Sequence, residues 1–328
     1  MKITWKEVWA EYYRLIISAL FAMVIVLLVW CYSLNIFLSQ APVKIGATYM
    51  TLNNSFYQII NEEVKKKVDQ NGDILYTRDP GLSVTKQCQQ INNFIKLKVN
   101  VIIINPVNGE SHKLQAVLRK AHQQGIRIVV VDSQVSDAHD VDTTVVSDNY
   151  RAGALDAQNI RQNNERARVL VLRHWNALSV KERYRGLEDQ FKKYPQYQIV
   201  KNVETLGQTD ISLKKTKETL ENSTNKYDLI VALDDQSALG ALAALDELGV
   251  KRTIPVYGID GSANMKRLLA SDQDAQATVA QSPIKLGQKS IQASYKLVKN
   301  QKVARKIIVP VYLLTKKNIK NYDLSGWQ

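Results

Sequence analysis

The chain has 328 residues, 45% hydrophobic and 23% charged, ordinary for a globular protein and long enough for two lobes plus an accessory segment. Its 44 Lys and Arg against 31 Asp and Glu give a net charge of +13. The basic residues are scattered over predicted helix faces (Lys65-Lys66-Lys67, Lys192-Lys193, Lys214-Lys215, Lys316-Lys317) with no Arg-rich arm, which argues for a solvated basic surface and against a nucleic-acid partner. Two Cys, Cys31 and Cys88, and four His without metal-ligand spacing call for neither a disulfide framework nor a zinc centre.

The first predicted element is an uncharged run, Leu15 to Leu38. As a helix it would span about 36 Å, against a hydrocarbon core of about 30 Å, and it exceeds the usual apolar core of a signal peptide. Ser39-Gln40-Ala41 resembles a cleavage site, but Pro42 follows directly. Cys31 follows Trp30, where a lipoprotein acceptor site has a small residue. The expectation is an uncleaved anchor, with cleavage or lipidation as the alternative. Lys2, Lys6 and Arg14 precede the span and only Lys44 lies close behind it. The positive-inside rule then puts the N-terminus in the cytoplasm and the bulk of the chain outside.

Val43 to Met50 reads as a buried strand. Asn53-Asn54 follow as a helix-capping pair, and Phe56, Ile59, Ile60, Val64 and Val68 form the core stripe of a helix. The alternation continues: strand from Asp73, helix Ser83–Lys98, strand from Val101 ending at Asn105-Pro106, helix Ser111–Gln124 stopped by Gly125, and strand from Arg127 ending at Asp132-Ser133. A strand from Thr143 ends at Asp148-Asn149, and one from Val169 ends at His174-Trp175, before a helix from Ser179. Further strands begin at Gln198, at Leu229 (ending at Asp234-Asp235), at Val256 (ending at Asp260-Gly261) and at Ala277 (ending at Gln281-Ser282). A helix from Ile284 and one strand, Lys306 to Leu314, close the pattern. Strands alternating with helices make parallel sheets with right-handed crossovers. Their number exceeds one comfortable sheet, so two α/β lobes divide near Asp148.

The residues at the carboxyl ends of these strands share a chemistry. Asn54, Phe56, Tyr57, Asn105, Asp132, His174, Trp175, Asp234, Asp260 and Gln281, with Arg183 early in a following helix, are short carboxylates, amides, one Arg and aromatics. Such groups meet hydroxyls at fixed angles and cover the apolar face of a sugar ring. Asp148, Asn149 and Asp235 read instead as helix caps. No G-x-S-x-G, G-x-x-x-x-G-K-[ST] or G-x-G-x-x-G motif occurs, so no enzyme, cofactor or metal is expected.

The segments TLNNSFY (51–57), VIIINP (101–106), VVDS (130–133), VSDN (146–149), KERYRG (181–186), ALDDQSALGALAAL (232–245), VYGIDG (256–261) and TVAQSP (278–283) together resemble the ribose-binding family of type I periplasmic solute-binding proteins. The resemblance covers Val43 to about Thr315. It implies an α/β fold of two doubly wound parallel-sheet lobes joined by a multi-strand hinge, here with one N-terminal transmembrane helix. Residues 1–42 would be the cytoplasmic stub and anchor, 43–147 with 282–309 the N-terminal lobe, and 148–281 with 310–328 the C-terminal lobe. It also implies that Asn54, Phe56, Tyr57, Asp132, Arg183, Asp260 and Gln281 contact a sugar, with Asp234 standing where the family has Asn. Ser133 replaces the usual Arg, which removes a bidentate donor and points away from ribose itself. The implied role is to bind a monosaccharide or similar polyol and present it to an ABC permease. The alternative is a sugar-sensing partner of a membrane sensor histidine kinase.

Overall fold

The computed structural model describes residues 5–38, 41–221 and 226–327. Lys2, Ser39 and Gln40 of the expected anchor segment lie outside the described residues, as does Gln328. The chain forms two compact units, Met1–Pro42 and Val43–Gln328. In the first, helix α1 (Trp5–Leu38) contains a 21-residue stretch, Tyr12–Tyr32, long and apolar enough to cross a membrane and with none of its residues buried.

The second unit contains two six-stranded sheets. Strands β1 (Lys44–Thr48), β2 (Ile74–Arg78), β3 (Val101–Ile104), β4 (Arg127–Val131) and β5 (Thr143–Ser147) alternate with helices α2 (Ser55–Gln70), α3 (Val84–Lys96) and α4 (His112–Gln123). The chain then passes through α5 (Asn149–Asn163), β6 (Ala167–Arg173), α6 (Leu178–Phe191), β7 (Tyr197–Glu204), α7 (Thr209–Glu221), β8 (Leu229–Ala232), α8 (Asp235–Glu247), β9 (Val256–Asp260), α9 (Ala263–Ser271) and β10 (Ala275–Ala280). It closes with α10 (Pro283–Val298), β11 (Lys306–Val309) and β12 (Tyr312–Thr315). The sheet orders are β11-β5-β4-β3-β1-β2 and β12-β10-β9-β8-β6-β7. Both therefore reverse direction at one point, between β1 and β3 and between β6 and β8, and in such sheets the crevice outside that point receives ligands.

Apart from Arg127 and Asp260 at their ends, strands β3, β4, β5, β8 and β9 are apolar or small-residue runs, buried almost throughout because helices cover both faces. Each lobe has an outer core of its own, one around Phe94, Ile104 and Leu118, the other around Leu172, Leu242 and Met265. A third core runs from Ile60 and Val131 of the first lobe to Val171, Val231 and Ile259 of the second. The helices start where short polar side chains accept the free N–H groups: Asn54, Ser83, Ser111, Asp148, Asp234, Ser262 and Ser282.

The chain passes between lobes three times, from β5 to α5, from β10 to α10 and from β11 to β12. Helix α10 packs on α2, β4 and β5 of the first lobe, and α5 on α6 and β9 of the second. The one strand expected from Lys306 to Leu314 is in fact two. Pro310 has no N–H to give a sheet ladder, and the chain changes sheets there. Strand β11 runs parallel to β5, with Val309 opposite Ser147, and β12 runs antiparallel to β10, with Thr315 opposite Ala277. Helix α9 was not expected from the sequence. It has about two and a half turns and buries Lys266 on its core side, against the usual polar-out pattern.

Candidate functional site

The carboxyl ends of the two sheets face one another across a cleft. On the first lobe's side, Asn54 caps α2 by accepting the Phe56 N–H at 2.9 Å. That cap fixes the start of the helix and sets Phe56 and Tyr57 edge to face, with ring centres 5.6 Å apart. Tyr57 Oη lies 3.3 Å from Met50 Sδ and 3.5 Å from Asp132 Oδ2. Asp132 follows β4 with φ +65°, the left-handed region that few non-glycine residues adopt. Its Oδ2 accepts from Asn105 Nδ2 at 3.1 Å, while Oδ1 meets no hydrogen-bond partner among the described residues. Burial raises its pKa from 3.8 to about 6, although the Arg183 charge works the other way.

On the second lobe's side, Arg183 is the organising group. Its Nε donates to Asn149 Oδ1 at 2.9 Å and its Nη1 to Leu233 O at 2.7 Å; Nη1 also lies 3.6 Å from Asp260 Oδ1. This reach depends on α5 and α6 nearly touching. A Cβ on Gly153 would lie 1.8 Å from the Arg183 carbonyl oxygen, and one on Gly186 would lie 2.0 Å from that of Tyr150. Asp260 ends β9 at φ +152°; its carboxylate accepts from Gln281 Nε2 at 2.6 Å and from Asp235 N at 3.2 Å. Asp234 caps α8, accepting from Ser237 N and Ser237 Oγ at 2.8 and 2.9 Å. Behind this wall Asp235 accepts from Ser262 N and Thr278 Oγ1, both at 2.7 Å. Burial, reinforced by the Asp235 charge, raises the Asp156 carboxyl well above its ordinary value. Burial also raises Asp260, against the pull of Arg183, and lowers His174.

Of the residues expected from the sequence, Asn54, Phe56, Tyr57, Asp132, His174, Arg183, Asp234 and Asp260 line one cavity of about 30 Å³, room for about two waters. Apart from half-buried Asn54, all of them are at most 9% exposed. Four others do not line it, among them Asn105, which instead donates to Asp132 Oδ2. Gln281 turns its amide to Asp260. Ser133 Oγ accepts the Ser179 N–H across the lobes at 3.2 Å. Trp175 packs edge-on against Tyr184 at 5.4 Å beneath the Arg173 guanidinium, lining an outer groove with Val135 and Arg185.

The cavity also takes in Met50, Ala177, Ser179, Val180, Leu206, Gly207 and Gln208, most of them in loops or at helix starts, where periodicity carries no signal. Trp327 does not line the cavity but braces one of its walls, its ring lying edge-on to Phe56 at 5.5 Å. The tail that carries it is held by buried Lys266, which donates to the carbonyls of Asp323 and Gly326. At the rim, Lys181 of the second lobe pairs with Glu110 of the first at 2.6 Å.

Residues 45–302 match the profile of the periplasmic binding protein domain family. The ribose import binding protein of Bacillus subtilis is 29% identical over 280 residues, covering 83% of this chain and 87% of its own. The D-xylose-binding periplasmic protein of Escherichia coli is 27% identical over 259 residues, 76% of this chain and 77% of its own. Among solved structures, an ABC transporter solute binding protein from Mycobacterium smegmatis with bound glycerol superposes with a TM-score of 0.80. It is 23% identical and covers 86% of this chain and 96% of its own, a likeness of fold.

Proposed function

The chain belongs to the periplasmic binding protein domain family, and on that premise we propose that it binds a monosaccharide or similar polyol between its two lobes. The observation that carries this is the cavity itself. Hydrogen-bonding groups from both lobes (Asn54 and Asp132 on one side, Arg183, Asp234 and Asp260 on the other) converge beside the rings of Phe56 and Tyr57. Directional polar groups next to aromatic faces suit a molecule with hydroxyls at its edge and C–H bonds on its face. No hydrolytic or group-transfer role is assigned to the site. A sugar ring is larger than the 30 Å³ now enclosed, so entry requires the lobes to part about the three crossings and close again.

Calorimetric titration of the purified full chain, in a mild detergent, with a panel of pentoses, hexoses and cyclitols tests this. Saturable binding at micromolar concentrations is expected; no heat from any compound at millimolar concentration overturns the reading. In this proposal Tyr12–Tyr32 anchors an extracytoplasmic binding body that presents its ligand to an ABC permease, in line with what the relatives are named for. The same span favours a second output, a sugar sensor that biases a membrane histidine kinase without transport. Co-purification from membranes separates the two, because a retained permease sinks the sensor reading and a retained kinase sinks the transport one.

A further inference from the structure

The charged groups lining the cavity are unequal. Asp132, Asp234 and Asp260 contribute three carboxyl groups, and Arg183 is the one Arg or Lys among the described residues that lines it. Arg183 is already committed to Asn149, to the Leu233 carbonyl and to Asp260. Asp234 is held by the backbone and hydroxyl of Ser237. Asp132 differs: it is 3% exposed, lines the cavity, and its Oδ1 meets no donor among the described residues. His174 supplies no cation, since burial lowers its pKa.

Among the described residues, neutral donors reach only the Oδ2 of Asp132, so a buried carboxylate charge is left with one oxygen unanswered, which is unfavourable. A sugar hydroxyl would satisfy a lone pair of Asp132 but leave the charge. An ammonium group offers three donors and cancels it. We propose that the ligand is an amine-bearing polyol, such as an amino sugar, whose ammonium group seats against Asp132. This rests on the reading of the cleft as a polyol site and names the class of polyol.

Matched pairs decide it: D-glucosamine against D-glucose, D-galactosamine against D-galactose, and 3-amino-3-deoxy-D-ribose against D-ribose, titrated into the full chain in detergent at pH 7. The N-acetylated hexosamines serve as uncharged controls. In at least one pair the amine is expected to bind tenfold or more tighter than its hydroxyl partner, with N-acetylation removing the advantage. In Asp132→Asn the amine should bind no tighter than its hydroxyl partner, whatever the affinity of either. Hydroxyl sugars binding as tightly as the amines in every pair overturns the proposal and leaves the polyol reading standing; no binding by any compound overturns both. An Asp132→Asn protein that keeps the full preference removes Asp132 as the seat. Should that variant fail to fold, the pairs on the unaltered chain still decide.

Discussion

The two walls of the cleft are built on opposite principles. The second lobe's wall is a cross-linked network in which Arg183, Asn149, Asp260, Gln281 and Asp234 bond to one another or to neighbouring backbone and hydroxyl groups, each carboxylate and the Arg being held although Asn149 Nδ2 and Gln281 Oε1 are left over. The first lobe's wall is open-ended: two aromatic rings, and an aspartate with one oxygen unanswered. A cross-linked network is rigid and pre-oriented, so it can fix the angle at which a ligand is held. An unsatisfied carboxylate is stress in the protein that a suitable ligand relieves. The lobes therefore divide the work, one positioning the ligand and the other selecting it.

Breaking the network should give the largest effect. Arg183→Ala leaves Asp260 facing Asp234 and Asp235 without its cation, and a stability loss of about 3–5 kcal/mol is expected by denaturant unfolding, together with loss of binding. A loss below about 1 kcal/mol, the range of exposed ion pairs, would mean that the second wall is not held by this residue.

Asp132→Asn should move stability the other way. The folded state holds this proton up to about pH 6, against an ordinary value of 3.8. Folding therefore takes up protons between those values, and the stability of the native chain falls as pH rises through that window. By linkage the effect is on the order of 2–3 kcal/mol at pH 7.5 relative to pH 4. The variant should melt higher than the native chain at pH 7.5, with the advantage shrinking toward pH 4. Equal melting at both pH values would remove Asp132 as a source of stress.

Gly153→Ala sharpens the contrast by moving the second wall without touching its charges. The added Cβ drives α6 away from α5, with an expected cost of about 1–3 kcal/mol and a fall in affinity as Arg183 shifts. Unchanged affinity in a destabilised variant would uncouple the helix contact from the site. Lys181→Met, at the half-exposed rim pair with Glu110, should cost less than about 1 kcal/mol and mainly speed ligand release in stopped-flow displacement. A large equilibrium loss there would mean that the rim helps hold the ligand.

The open wall was the more legible of the two in the sequence. Asn54, Phe56, Tyr57 and Asp132 stand where an apolar run stops, and parallel strands buried on both faces make such runs easy to see. The second wall was legible by residue but not by contact. Arg183 and Asp260 could be placed at strand and helix ends, whereas Asn149, which read as a helix cap, is an Arg183 partner because two glycines bring α5 and α6 together. Gln281 has the chemistry of a ligand contact, yet its amide is turned to Asp260. Trp327 was invisible for another reason: it lies far along the chain from every strand end, and only the tertiary hold of Lys266 on the tail brings it to Phe56.

The change of sheet at Pro310 also bears on how the protein comes into being. The first lobe is begun at residue 44 but its sheet lacks an edge until residues 306–309 return to pair with 144–147, after the whole second lobe has been made. Contacts so distant in sequence form late and slowly, and a nascent chain folding from its N-terminus cannot finish that lobe before reaching the second. The part synthesised first is completed last, and the two lobes should therefore gain and lose structure in a single cooperative transition.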